Sequence, residues 1–115
     1  MKGDCLFCGI VEGKTAAAIV YRDDSVVAFK DINPKAPVHI LIIPSEHIAT
    51  VLELEEGHGA LLANVFRVAN RLAREHGIAQ TGFRMVVNCG QAAGQTVFHL
   101  HYHLLGGRHL GWPPG

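Results

Sequence analysis

The sequence lacks any hydrophobic stretch long enough to cross a bilayer. Its apolar run Val38–Ile43, interrupted by His39, falls far short of the ~20 residues a spanning helix needs. The first residues, MKGDCLFCGIVEG, are not expected to act as a leader, because Asp4, two cysteines and Gly9 break the short apolar stretch. No excess of either charge is present: ten basic and ten acidic residues cancel, and no block of like charge stands out. A nucleic-acid groove would need clustered Lys and Arg, so such a partner is not expected. Cysteine is scarce and odd in number, three in all, with two only three positions apart. A disulfide framework is therefore a poor reading, and a reduced, cytoplasmic setting is the expectation. Repeats, low-complexity segments and linkers are missing too, so 1–115 is expected to be a single domain.

What the chain does have is apolar residues at 49%, sufficient for a core, and eight histidines. The patterning predicts five strands and one long helix. Ala18–Arg22 and Ser25–Lys30 read as strands joined by a turn at Asp23-Asp24. A loop with Pro34 and Pro37 leads to Val38–Ile43, nearly all apolar and β-branched, as expected of a strand covered on both faces and ended by Pro44. Leu61, Val65, Val68, Ala69 and Leu72 fall on one face of a helix, with Arg67, Arg71 and Arg74 opposite and Gly77 as its stop. Phe83–Asn88 and Val97–Leu105 are the last two strands, separated by the small-residue loop 89–96. The expected class is α+β, with a mainly antiparallel sheet, one long helix and a short N-terminal helix.

The segment Phe98-His-Leu-His-Tyr-His-Leu-Leu105 carries the chemistry. Strand alternation puts His99, His101 and His103 on one face and Leu100, Tyr102 and Leu104 on the other. Three imidazoles on one face are costly in a core, because each ring nitrogen needs a partner. A His-x-His pair can bind zinc, but same-face positions lie ~6.6 Å apart along a strand, so three successive ones do not share an ion. Phosphoryl or nucleotidyl transfer fits better, with one His as nucleophile and its neighbours holding phosphate oxygens.

His99-Leu-His-Tyr-His-Leu-Leu105 has the His-φ-His-φ-His-φ-φ pattern, and the chain resembles the histidine triad superfamily along essentially its whole length. Agreement extends through Tyr21-Arg-Asp-Asp, Ala28–His39, Ile43-Pro, Arg84–Asn88 and Trp112-Pro-Pro-Gly115. It looks like the Hint branch, the nucleoside phosphoramidases. The related nucleotidylyltransferases usually have Gln at the position of His103, so the resemblance favours a hydrolase.

The resemblance implies a role for each matching position. His101 is the nucleophile that forms a nucleotidyl-histidine intermediate, later hydrolysed to release AMP. His103 and Asn88 contact the phosphate, and the loop Gly94, Gln95 and Thr96 wraps it. Glycine lets main-chain N–H groups approach an anion, and Gln and Thr side chains add donors. Thr96 is often Ser in this branch and stiffens the side chain here. Asp31 accepts from the ribose hydroxyls, Ile32 walls the purine base, and His39 supports the triad by orienting another ring or a backbone group. The resemblance also implies a two-fold homodimer whose sheets join across the axis, with the tail bearing Trp112 near the partner subunit's site.

Cys5-Leu-Phe-Cys8 lacks the preceding strand of a redox motif. Two packed cysteines are one reading. The other is a structural zinc site, which needs four N or S ligands. Relatives carrying this pair imply Cys5, Cys8, His47 and His99 as that set, with the metal unnecessary for catalysis. Cys89 is read as a loop filler, and His58, His76 and His109 are given no role. The activity expected is cleavage of the P–N bond in purine nucleoside 5′-phosphoramidates. Rival readings are dinucleoside polyphosphate hydrolysis, a purine-nucleotide-binding scaffold with incidental activity, and a zinc-dependent hydrolase.

Overall fold

A computed structural model describes residues 4–115; residues 1–3 of the expected domain lie outside the described residues. A short helix α1 (Leu6–Val11) precedes strands β1 (Ile19–Arg22), β2 (Val26–Lys30) and β3 (Val38–Pro44). The long helix α2 (Gly59–Glu75) follows, then β4 (Phe83–Val87) and β5 (Tyr102–Gly106). Every strand pair is antiparallel, in the order β1-β2-β3-β5-β4. This is the α+β arrangement that the patterning predicts.

Local chemistry explains the elements. The Asp23 carboxylate closes the β1–β2 turn by accepting from the main-chain N–H groups of Ser25 and Val26 at 2.8 and 2.9 Å. Helix α2 buries Val65, Val68, Ala69 and Leu72 while Arg67, Arg71 and Arg74 stay exposed, as the 3.6-residue period requires. Gly77, at φ 75°, stops it: its own N–H reaches Arg74 O and the Ile78 N–H reaches Ala73 O, both orphan carbonyls of the last turn.

The period-2 alternation of the sheet divides the interior in two. On one face Ile40, Ile42, Leu100, Tyr102 and Leu104 pack beneath α2. On the other, Val27, Phe29, Leu41 and Ile43 pack against Phe7 and Ile10 of α1. Strand β3 is covered on both sides, which accounts for its near-continuous apolar sequence. Beyond the reach of α1, this second face carries His39 and His103, with Leu41 and Val86 as the cross-strand partners of His103.

One expectation is corrected. The strand drawn over Val97–Leu105 begins its ladder only at Tyr102, so His99 and His101 precede it. Residues 97–101 are tied instead to the loop after β3, through Leu100 N–H to Ile48 O at 2.6 Å. The alternation survives the lost ladder: Leu100 still points into the α2 core, while His99 and His101 face Phe7 of α1.

Candidate active site

The triad rings lie in sequence across one face, each with a different partner set. His99 is fully buried, and its Nε2 contacts Pro44 O at 2.8 Å. A carbonyl only accepts, so Nε2 carries the hydrogen and Nδ1 keeps its lone pair in the neutral ring. That nitrogen lies 3.5 Å from both Cys5 Sγ and Cys8 Sγ, while His47 Nδ1 lies 3.2 Å from Cys8 Sγ. Ligand atoms of the four residues all fall within 4.8 Å of one another. Two sulfurs and two ring nitrogens are a zinc donor set, and a carbonyl behind a ligating imidazole is the usual orienting partner. Burial holds the His99 pKa below its ordinary value, with the rings of His47 and His101 adding to this and the Pro44 hydrogen bond opposing it.

His101 is next. Its Nδ1 donates to the main-chain O of His99 at 2.8 Å, which leaves the Nε2 lone pair free in the neutral ring. The Phe7 ring packs edge-on against it, centroids 5.2 Å apart at 88°. His103 follows with its ring centroid 5.1 Å from that of His101. Its Nδ1 meets His39 Nε2 at 2.9 Å, and the same His39 nitrogen lies 3.4 Å from Asp31 Oδ2. Burial depresses the His103 pKa to about 4, helped by the charges that His101 and His39 would carry and opposed by Asp31. Burial likewise lowers His39, with Asp31 opposing and Lys35 assisting. In both, burial favours the neutral ring.

Beside these rings opens a cleft of about 420 Å³ lined by Asp31, Asn33, Lys35, His39, Val86, Asn88, His103 and Leu105. Four of the sequence-predicted site residues therefore share one cavity. Gly94 and Thr96 are exposed, and Thr96 borders a neighbouring cleft with Cys5, His47 and Phe98. Gln95 is different: its Oε1 accepts from Gly90 N–H, and its Nε2 donates to Ala49 O and Val97 O. Its side chain braces the loop, with both ends of the amide engaged within the protein. Ile32 is 91% and Trp112 83% exposed. The tail bearing Trp112 is held by Arg84, whose guanidinium donates to Gly111 O at 2.9 Å and lies 6.0 Å from the indole.

Sequence reasoning missed Phe7 and Lys35. Phe7 sits between the two cysteines and reads as core. Lys35 acts through its main-chain N–H, which donates to His39 Nδ1 at 3.0 Å and leaves no trace in residue type.

Known proteins resemble the chain in sequence and in fold. The HIT domain family matches residues 12–110. An uncharacterized HIT-like protein of Synechococcus elongatus is 49% identical over 115 residues, the full length of both chains. The purine nucleoside phosphoramidase of Escherichia coli K12 is 44% identical over 111 residues, covering 96% of this chain and 93% of that one. A HIT family hydrolase from Legionella pneumophila superposes with a TM-score of 0.96 at 46% identity, covering 97% of this chain and all of the other. With its three histidines turned to the same side of the fold and the family match spanning most of its length, the chain belongs to the HIT domain family.

Proposed function

We propose that this HIT hydrolase cleaves the P–N bond of purine nucleoside 5′-phosphoramidates through a covalent nucleotidyl-His101 intermediate. The observation that carries the reading is the His101 Nδ1 contact to His99 O, which leaves the Nε2 lone pair available as a nucleophile. Nε2 attacks the α-phosphorus, the P–N bond breaks, and the departing nitrogen takes a proton from solvent and leaves as an amine. Water then attacks the same phosphorus and gives its proton to solvent, the bond from phosphorus to Nε2 breaks, AMP leaves, and His101 Nε2 regains its lone pair. His103 and Asn88 hold the phosphate from the cleft wall, and exposed Gly94 and Thr96 supply donors where charge builds. Asp31 takes the ribose hydroxyls, and the exposed Ile32 gains cover from the base. The name of the Escherichia coli relative supports the substrate class.

Cys5, Cys8, His47 and His99 would hold a structural zinc, which supplies cross-linking of α1 to the sheet and takes no part in the reaction. Thiolate ligands suit a reduced, cytoplasmic setting. The working unit is one domain per chain in a two-fold homodimer. Edge strand β4, with Val87 38% exposed, and Phe66 of α2, 47% exposed, are the apolar edge and face that a second copy would cover. Among the described residues, no helix is long and apolar enough to cross a membrane.

The test is AMP release from adenosine 5′-monophosphoramidate by wild type and His101→Ala, each with and without a zinc chelator. Loss of turnover by at least about 10³-fold in the mutant alone supports the reading. Turnover that survives the mutation and dies with chelation indicates a metal enzyme. Binding without turnover in the wild type indicates a nucleotide-binding scaffold, and preference for diadenosine polyphosphate indicates the other hydrolase.

A further inference from the structure

Arg84, Arg108 and the His109 ring line a second cleft of about 240 Å³, shared with Thr81, Phe83 and Leu110. Among the described residues no carboxylate lines it, and neither guanidinium has an acidic partner. Main-chain carbonyls hold both side chains instead. Arg84 donates to Gly111 O at 2.9 Å and Leu110 O at 3.4 Å, and Arg108 to Lys35 O at 3.0 Å and His109 O at 2.9 Å. A guanidinium carries more N–H donors than these bonds use, so both keep donors to spare. Two fixed forks with free donors and no counter-charge make a receptor for an anion.

The sheet register sets this cleft beside the phosphate end of the active site. Val86 pairs with His103 and Arg84 with Leu105, so Arg84 stands on the His103 face at the diagonal position, ~7–8 Å away. One row of residues runs back from Arg84 through Leu105 and His39 to Asp31, whose N–H donates to His39 O. Asp31 and Arg84 end that row on opposite sides, roughly 14 Å apart at the usual strand spacing. Arg108 is tied to the same place, because the carbonyl that receives its Nε–H belongs to Lys35 of the active-site cleft. With the ribose at Asp31 and the phosphate at His103, a group beyond phosphorus reaches the two arginines by continuing in the same direction.

We propose that Arg84 and Arg108 form a leaving-group subsite for a carboxylate, and that the substrates are purine nucleoside 5′-phosphoramidates of amino acids. This rests on the phosphoramidase reading and adds the class of the leaving group. On that reading the departing nitrogen belongs to an amine, and an amine with a carboxylate close to its nitrogen is an amino acid. The planar guanidinium meets a carboxylate through paired N–H donors, which a neutral amine lacking that group cannot exploit. Holding the leaving group at a second point also orients the P–N bond against His101.

The experiment measures affinity by calorimetry on zinc-loaded His101→Ala protein, which is expected to hold the substrate without turning it over. The probes are the adenosine 5′-phosphoramidates of glycine and of glycinamide, a pair separated by the carboxylate charge. Binding needs no hydrolysis, so its outcome is distinct from that of the phosphoramidase reading, which turnover tests. The glycine conjugate is expected to bind roughly tenfold tighter than the glycinamide conjugate. Arg108→Met, a change at an exposed side chain, and Arg84→Met each remove most of that preference and leave the glycinamide affinity unchanged. With His101 restored, the same two substitutions raise KM for the glycine conjugate alone. Equal affinity for the two conjugates overturns the proposal. So does a preference that survives in both folded variants. A loss confined to diadenosine tetraphosphate overturns it too, and makes the cleft a site for a distal phosphate.

Discussion

His99 and His101 are joined by one 2.8 Å hydrogen bond from the His101 ring to the His99 main-chain oxygen. The His99 ring turns the other way, toward Cys5 and Cys8. One residue thus closes the cysteine cluster with its side chain and orients the neighbouring imidazole with its backbone.

The division predicts that metal removal acts on stability before chemistry. Purified protein should carry one zinc per chain, and stripping it should lower the melting temperature. The loss is about 2.7 kcal/mol where free zinc stands 100-fold above its dissociation constant. Cys8→Ser should bind no zinc and show the same reduced melting temperature, while turnover per folded molecule falls only a few-fold. Equal melting curves with and without chelator would contradict the assignment.

The sequence carried the fold because its periods are clean. The β-branched run of β3, the apolar stripe of α2 and the Asp23 turn each follow from local chemistry. It carried the site less completely. Side-chain alternation placed the three histidines on one face, yet the ladder of β5 starts after two of them, because a loop-to-loop bond at Leu100 replaces strand pairing. The contacts that set the tautomers of His39 and His101 come from a main-chain N–H and a main-chain carbonyl, and every residue has those. Gln95 read as an anion donor from its type, whereas its amide is spent on Ala49, Gly90 and Val97.

Stability should fall on acidification below neutrality. His39 and His103 have folded pKa values below the ~6.5 of an unfolded histidine, so the unfolded chain binds more protons in this range. Their contribution is fully present above pH ~6.5 and is lost as pH falls toward the value of about 4 at His103. Urea melts from pH 8 to pH 4 measure this, and the slope should shrink in His39→Gln. A flat profile across the window would count against two buried neutral rings.

Asp23 should matter to stability and not to turnover. Burial works against its charge, but donors from Asn64, Tyr21 and the Ser25 and Val26 main chain outweigh it and hold the carboxyl far below its usual value. Asp23→Ala is expected to cost about 2 kcal/mol at pH 7 by stripping those donors of their acceptor. The difference between mutant and wild type should begin to shrink as pH falls below ~4, the unfolded carboxylate value, and vanish only as pH falls on through the much lower folded value of Asp23. Denaturation curves taken from pH 7 down into strong acid, with a kcat measurement near neutrality, check both halves.

The single tryptophan offers a test of the proposed two-fold assembly. Trp112 is 83% exposed in the isolated chain. If the tail lies against a partner subunit, indole emission shifts to the red on dilution below the dimer's dissociation constant, in step with sedimentation. Phe66→Glu, on the exposed face of α2, should move both transitions to higher protein concentration. Emission that stays constant while sedimentation changes would place the tail away from the interface.

Attack by His101 on phosphorus is tested most directly by the configuration at phosphorus. A phosphoramidate made chiral at the α-phosphorus with sulfur is hydrolysed in isotopically labelled water, and the product configuration is read. Two successive in-line displacements, first by His101 and then by water, predict net retention. Net inversion would mean that water attacks directly, and the covalent mechanism would be wrong.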